Sequence, residues 1–277
     1  MQSIVSDSFS TPTLLGSQLG LQAILPIAFN TQKEFTLNSQ LGIFPNQDPQ
    51  SMPKLRYFCV GTKGAYNTDD EDGSSAYDPK RTEMNLYNLI PIRCRPVDDD
   101  LTDAERAKYR LRTRAKLNDG NEYFLYYAKA LEFSGEIQTK KVNSLTGEES
   151  AYELSAENLS PTPVKTSTST LAESIDSEIV SYYDTAIRIE AKEILEYINV
   201  VYGGDTRKAK ISEIGLLTGD DQEVSGLTTN NVAITYTEAI YTQLYNKICM
   251  LAYPLTRPSD VYLDNFQITS SGAISRA

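Results

Sequence analysis

The chain has 277 residues, 40% hydrophobic and 23% charged, enough to bury a sizeable core in one large or two modest domains. Its net charge of −11 argues against general affinity for nucleic acid, and the absence of any histidine removes the usual general base, zinc ligand and His-dependent triad. Cys59, Cys94 and Cys249 are odd in number and far apart, so they suit neither a metal site nor a disulfide framework and point to buried thiols in a reducing compartment.

Residues 1–53 are rich in Ser, Thr, Gln and Asn, and Pro12, Pro26, Pro45, Pro49 and Pro53 interrupt regular structure. An extended N-terminal arm is expected, with a short strand at 34–37, lying on its own domain or on a neighbouring subunit. Residues 14–29 are apolar but too short to span a bilayer, and no Lys or Arg precedes Lys33. Neither a membrane span nor a signal peptide is therefore expected.

Residues 54–60 (KLRYFCV) read as a strand ended by Gly61-Thr62-Lys63-Gly64, which lacks the spacing of a phosphate loop. The acidic stretch 67–77 contains Asp70, Asp72 and Gly73 but not the remaining ligands of a calcium loop, so a solvated loop is expected. Residues 88–95 form another strand, with Pro91 marking a bend or an edge. Thr102 and Glu105 have capping-box spacing, which starts a helix near Asp103 running to about Tyr109. The run Asp98-Asp99-Asp100 reads as helix-start charge, since consecutive side chains rarely converge on one ion.

Next comes a hairpin. Residues 110–117 alternate, Asp119-Gly120 suits a two-residue turn, and residues 123–133 return. A type I′ turn would pair Lys116 with Tyr123, Arg114 with Leu125 and Arg112 with Tyr127. One face then carries Arg110, Arg112, Arg114 and Lys116 beside Tyr123 and Tyr127, a candidate interface in which arginine stacks on tyrosine. That face meets an acidic patch on another subunit, nucleic acid, or solvent alone with the stacking kept inside one chain. Leu111, Ala115, Phe124 and Ala128 are expected to face a core.

Residues 140–170 are polar and Ser/Thr-rich with Pro161 and Pro163, and read as a long excursion. After it comes the best-defined unit. Residues 186–190 alternate like a half-buried strand. Ile194, Leu195, Ile198 and Val201 then form the apolar stripe of a helix over 191–201. Gly203-Gly204 stops that helix, and residues 208–218 alternate again. A loop is expected at 220–231 and a strand at 232–236. Ile240, Leu244, Ile248 and Leu251 then predict an amphipathic helix over 238–251, or a strand-helix junction if 232–241 stays extended. One more strand is expected at 261–268. No internal repeat is present.

Several segments in order resemble virion structural proteins of tailed bacteriophages: RYFCVGTKG (56–64), PIRCRPVDDDLTDAERAKYRLRT (91–113), EYFLYYAKAL (122–131), and YGG followed by KISEIGLLTGDD (210–221). The resemblance implies a non-enzymatic particle component of the tail or baseplate, or alternatively a neck, collar or connector protein. A receptor-binding or fibre-adaptor module is a further alternative. It implies other tail, baseplate or neck proteins as partners, several copies per particle, and assembly in host cytoplasm. It carries no catalytic, cofactor or metal residue, and direct nucleic-acid contact and membrane association are not expected. A hydrolase using two carboxylates at glycosidase separation would need an acid pair that the sequence does not present.

The expected fold is mainly β with a few α-helices (α+β): a sandwich-like body over 54–277 behind the arm. Lobes at 54–139 and 171–277, joined by the 140–170 excursion, are an open alternative to one body.

Overall fold

A computed structural model describes residues 9–25, 29, 32–65, 75–133, 135–143, 146–155, 177–227, 233–269 and 272–276. The N-terminal part carries β1 (Phe9–Pro12), α1 (Leu14–Ile24) and α2 (Leu37–Leu41). Then come β2 (Lys54–Gly61), β3 (Leu89–Ile90), β4 (Arg93–Pro96), α3 (Asp103–Arg106), β5 (Tyr109–Lys116) and β6 (Glu122–Ala130). A short hairpin, β7 (Gln138–Asn143) and β8 (Glu149–Ala151), occupies the start of the polar excursion. The chain continues through β9 (Ser177–Glu190), α4 (Ala191–Val201), β10 (Lys210–Leu227), β11 (Ala233–Pro254), β12 (Val261–Thr269) and β13 (Gly272–Arg276). The protein is thus mainly β with a few helices.

The strands form two antiparallel sheets. The larger has the order β1-β11-β10-β2-β6-β4, with β3 added to β2 and β5 added to β6. The smaller runs β13-β12-β9-β7-β8. Both sheets and α4 feed one main core, where Phe58 and Phe124 of the larger sheet meet Ile187, Ile189 and Phe266 of the smaller, beside Ile194 and Ile198. Each such side chain contributes about 1.5–3 kcal/mol on burial.

The unit from β9 to β10 follows its sequence pattern. Thr185, Ile187 and Ile189 are buried while Ala186 and Arg188 are exposed, the alternation of a strand with one covered face. Helix α4 buries Ile194, Leu195 and Ile198. Gly203 (φ 59°) and Gly204 (φ 79°) then take the left-handed conformation that ends it. The Thr102–Glu105 capping box is present, but α3 is one turn long and β5 starts at Tyr109. Pro91 separates β3 from β4.

The segment 238–251 is strand, not helix. Ile240, Leu244 and Ile248 lie four apart, the spacing of a helix face, but bulges in the strand set Leu244 beside Leu217 and Cys59 on one face and Ile248 in the main core on the other. Polar residues between them are buried as well, including Thr242, Gln243, Asn246 and Lys247. Both faces of β11 are covered, Ile248 and Met250 lying in the main core and Ala239 and Leu244 packing with Leu37 of α2 in a second one, while β10 along its length and β1 at residues 246–249 take its edges. The loop expected at 220–231 is likewise strand as far as Leu227, because β10 stays paired with β11 from Asp220–Ile240 to Leu227–Ala233. Residues 228–232 lie outside the described residues.

The described part of the expected N-terminal arm lies on its own sheet. β1 extends the sheet beside β11. The Thr13 backbone N–H donates to the Tyr245 carbonyl (2.9 Å), while its hydroxyl caps α1 by accepting from the Gly16 amide (3.0 Å). Gly16 packs so closely that a Cβ there would sit 2.5 Å from the Tyr245 carbonyl oxygen. Residues 34–37 are not a strand: a 3₁₀ turn at Lys33–Phe35 leads into α2. Buried Asn38 of α2 then serves the β11 backbone, donating to the Ala239 carbonyl (2.7 Å) and accepting from the Thr242 amide (2.7 Å). Those bonds flank Tyr241, whose positive φ (57°) bulges the strand out of its ladder.

Candidate functional site

The β5–β6 hairpin carries the sequence's candidate interface, and its register differs from the expected one. Lys116 pairs with Glu122, Arg114 with Phe124, Arg112 with Tyr126 and Arg110 with Ala128. Leu117 N–H bonds to the Asn121 carbonyl, so the loop has three residues, with Gly120 (φ 85°) in the left-handed position. The extra loop residue shifts the pairing by one, which exchanges the faces. The arginines therefore share a face with Phe124 and Tyr126, and Tyr123 and Tyr127 lie on the other.

Two of the four cations are turned into the protein. The Arg110 Nε donates to Asp221 (2.8 Å), and its guanidinium lies over the Tyr57 ring at 5.8 Å. The Arg112 guanidinium stacks 3.5 Å from the Phe124 centroid and pairs with Asp100 at 3.0 Å. Arg114 is exposed and pairs across the hairpin with Glu122, and Lys116 is exposed. Tyr123 is buried against Cys94 and Leu125, its hydroxyl donating to Asp119 (2.7 Å), and half-buried Tyr127 packs beside them. Arg114 and Lys116 are thus the candidate cations that reach the surface.

The sequence reading missed a set of buried acids on β10 and β11. Each holds a distant loop by accepting its backbone amides. Glu213 accepts from the amides of Tyr87 (2.7 Å), Asn88 (3.1 Å) and Lys63 (3.2 Å). The loop that lacked phosphate-binding spacing does bind an anion, but the anion is this side chain. Gly64 is required there, because a Cβ would sit 2.0 Å from the Ser212 carbonyl oxygen. Fully buried Lys247 supplies the countercharge, 3.4 Å from Glu213 and 2.9 Å from Glu83, with its ammonium 3.2 Å from the Tyr87 centroid.

Glu238 does the same for β5. It accepts from the amides of Leu111 (2.6 Å), Arg112 (3.0 Å) and Ala239 (2.8 Å). Leu111 has φ 58°, so its peptide is turned to aim two successive N–H groups at one carboxylate. Burial pushes the Glu238 carboxyl above its ordinary range despite those bonds. Asp220 accepts from the amides of Gln50 (2.7 Å) and Ser51 (2.9 Å) and from the Ser51 hydroxyl. Burial raises its carboxyl too, but the Ser51 and Gln50 hydrogen bonds outweigh it and leave the group below its usual value. Asp221 is held low in the same way by Arg110 and Tyr57.

An open cleft of about 1060 Å³ lies between the two sheets, with Lys129, Tyr109, Glu193, Arg188 and Leu263 among its walls. Buried Glu193 is its central acid. It accepts from Lys129 Nζ (3.0 Å), from the Glu190 amide at the start of α4 (2.9 Å) and from the Tyr109 hydroxyl. Burial, together with Glu193, pushes the Tyr109 hydroxyl pKa up, which disfavours the phenolate. Nearby Glu196 binds Arg93 through two bonds of 2.9 and 3.0 Å. These charged groups are therefore already matched to partners within the chain, and their geometry is that of a brace between α4, β4 and β6.

Among the described residues, no group of three or more His, Cys, Asp or Glu side chains is placed to hold a metal ion. Asp70, Asp72 and Gly73 lie outside the described residues. Cys59, Cys94 and Cys249 are buried free thiols, and burial pushes Cys94 and Cys249 up to about 12. No described helix is long and apolar enough to cross a membrane.

One comparison places the chain in a family. The model of a family of unknown function, DUF7208, matches residues 1–259. The protein belongs to this family. No curated protein matches it. No solved structure matches it. The DUF7208 match spans the larger sheet, the four described helices and β7, β8 and β9 of the smaller sheet, and ends just before β12.

Proposed function

We propose that this DUF7208 protein is a non-enzymatic structural subunit of a tailed-phage virion, a tail or baseplate component. It works by docking several copies against other tail or baseplate chains during assembly in host cytoplasm. The observation that carries this reading is where the phage-like segments fall. They are β2, β4 through β5, β6 and the first part of β10, which are neighbours in the larger sheet although far apart in sequence. Segments that resemble one protein class and also assemble into one slab are what a shared structural core would give.

The charge pattern supports the same reading. Glu213, Glu238, Asp220 and Asp221 hold loops and strands in place, and Arg110 and Arg112 point inward. Charged groups with these roles shape surfaces for other chains; catalytic acids and bases need a proton they can exchange with substrate. Mass spectrometry of purified particles tests the proposal. The chain should be present at a fixed stoichiometry to the other tail proteins, and its absence from intact particles overturns the proposal.

A further inference from the structure

We infer that the hollow beside the C-terminal end of α4 is an anion-binding pocket, and that it takes one compact oxyanion of the phosphate class. The inference goes beyond the assembly reading and does not depend on it.

The hollow has a volume of about 200 Å³, and its walls come from parts of the chain far apart in sequence. One wall carries Lys63 and Asn88, whose backbone amides both donate to Glu213 (3.2 and 3.1 Å). The other is the segment that leaves α4: Tyr202, a 3₁₀ turn over Thr206–Lys208, and Lys210 at the start of β10. Lys63, Arg207, Lys208 and Lys210 are four of the nine lining residues, and no Asp or Glu is among the described residues that line the hollow. The whole chain has 37 acids against 26 Lys and Arg, so this lining reverses its general balance. Arg207, Lys208 and Lys210 follow the C-terminus of a helix, whose dipole favours positive charge and would account for them by itself. It does not account for Lys63. That residue comes from the loop after β2, which is held against the sheet by Glu213 and by the close approach of Gly64 to Ser212.

The lining also sets the ligand. The Lys63 and Asn88 amides are committed to Glu213, so an anion here is held by side chains and not by a backbone cradle. Asp205 accepts from the Arg207 Nε (2.8 Å) and one Nη (3.0 Å), which fixes the guanidinium. A guanidinium has five N–H donors, so it can still donate to a ligand. Each lysine ammonium has three donors, so a bond to a neighbour in the chain does not use it up. Ammonium and guanidinium donors from two walls match an oxyanion with several acceptor oxygens and more than one charge, which a phosphate group supplies. The volume is below the roughly 300–1,000 Å³ of drug-sized ligand sites, so it suits a single compact group and not an extended polyanion. With a net charge of −11 the chain repels anions at long range, so the site binds through short-range contacts and binds weakly.

Isothermal titration calorimetry of the purified full chain, in a phosphate-free buffer of low ionic strength, tests this with inorganic phosphate and with glycerol phosphate. A Kd of roughly 10⁻⁴ to 10⁻³ M is expected for at least one of them. Tighter binding of inorganic phosphate assigns the pocket to the free ion. Tighter binding of the ester assigns it to a phosphorylated small molecule whose organic part rests on Tyr202. The double variant Lys63→Gln with Lys208→Gln removes one cation from each wall and should weaken binding at least ~10-fold. Both side chains are exposed, so circular dichroism should be unchanged. Arg114→Gln with Lys116→Gln removes the same charge at the tip of the β5–β6 hairpin and should leave the Kd as it is. No binding of either probe up to ~10 mM overturns the inference. So does binding that ignores the Lys63–Lys208 pair or falls equally in the Arg114–Lys116 variant. The readout is taken on the isolated chain, so its failure leaves the virion reading standing, and absence of the chain from particles leaves the pocket standing.

Discussion

Replacing Lys247 with Met should be among the most destabilising single changes in the protein. The side chain is 0% exposed and its ammonium lies 3.4 Å from Glu213, itself 0% exposed. Lys247 also donates to the Asn85 carbonyl (3.3 Å) and contacts Glu83, whose 18% exposure allows rehydration. Methionine keeps most of the stem packing but leaves Glu213 as a buried carboxylate with three amide donors and no cation. Removing one partner of a buried pair costs about 3–5 kcal/mol. For a chain of this size that corresponds to roughly 10 °C in Tm. The double variant with Glu213→Gln removes both charges. It should be less destabilised than the sum of the single variants by about 1–3 kcal/mol, the coupling expected of contacting groups. The residue left by Glu213→Gln is the amide side chain facing the Lys63 and Asn88 donors, a mismatch of about 1–3 kcal/mol. With no tryptophan and 18 tyrosines, denaturant unfolding followed by far-ultraviolet circular dichroism and tyrosine emission is the suitable assay. A loss below about 1 kcal/mol for Lys247→Met, or strict additivity in the double variant, would refute the claim that this pair clamps the 83–89 loop to the sheet.

Two more changes test the other anchors. Asp220 and Asp221 both have folded-state values below the ordinary 3.8, so the stability they contribute is present above that pH and is lost as pH falls through it toward the folded value. Asp220→Asn should therefore lower stability at neutral pH by about 1–3 kcal/mol and flatten the acid limb of a stability–pH profile; an unchanged limb would count against the assignment. Gly64→Ala and Gly20→Ala should have opposite signs. The first puts a Cβ 2.0 Å from a backbone oxygen and should cost about 2–4 kcal/mol, while the second adds a methyl to a helix with nothing within 4 Å and should stabilise by about 0.5–1 kcal/mol. Thermal melts of the two variants rank them directly.

What could be read from the sequence was local. Helix α4 was legible because Ile194, Leu195 and Ile198 sit at helical spacing that no competing period explains, and two glycines with positive φ close it. The β5–β6 hairpin was legible as a hairpin but not in register. Asp-Gly suits a two-residue loop and also the end of a three-residue one, and the choice lies in hydrogen bonds such as that donated by the Asn121 amide to the Asp119 carboxylate (3.0 Å). That single extra residue decided which rings the arginines meet. β11 was misread because its apolar residues recur every four positions while the strand is bulged and buried on both faces, and neither the bulges nor the pairing with β1 and β10 is written in that spacing.

The buried acids mark a different limit. A pair such as Arg93 and Glu196 is at least written in two side chains of opposite charge. Glu213, Glu238 and Asp220 bind backbone N–H groups, and an amide carries no residue identity for a sequence pattern to expose. Their one trace is a charge in the middle of an apolar strand, as in SEIGL, where a solvated face would need its neighbours to be polar too. Such a charge has to be met by something, because an unpaired carboxylate in the core would cost several kcal/mol. Here it is met by loops whose glycines and positive-φ residues bring amides close enough, at Gly64 and at Leu111.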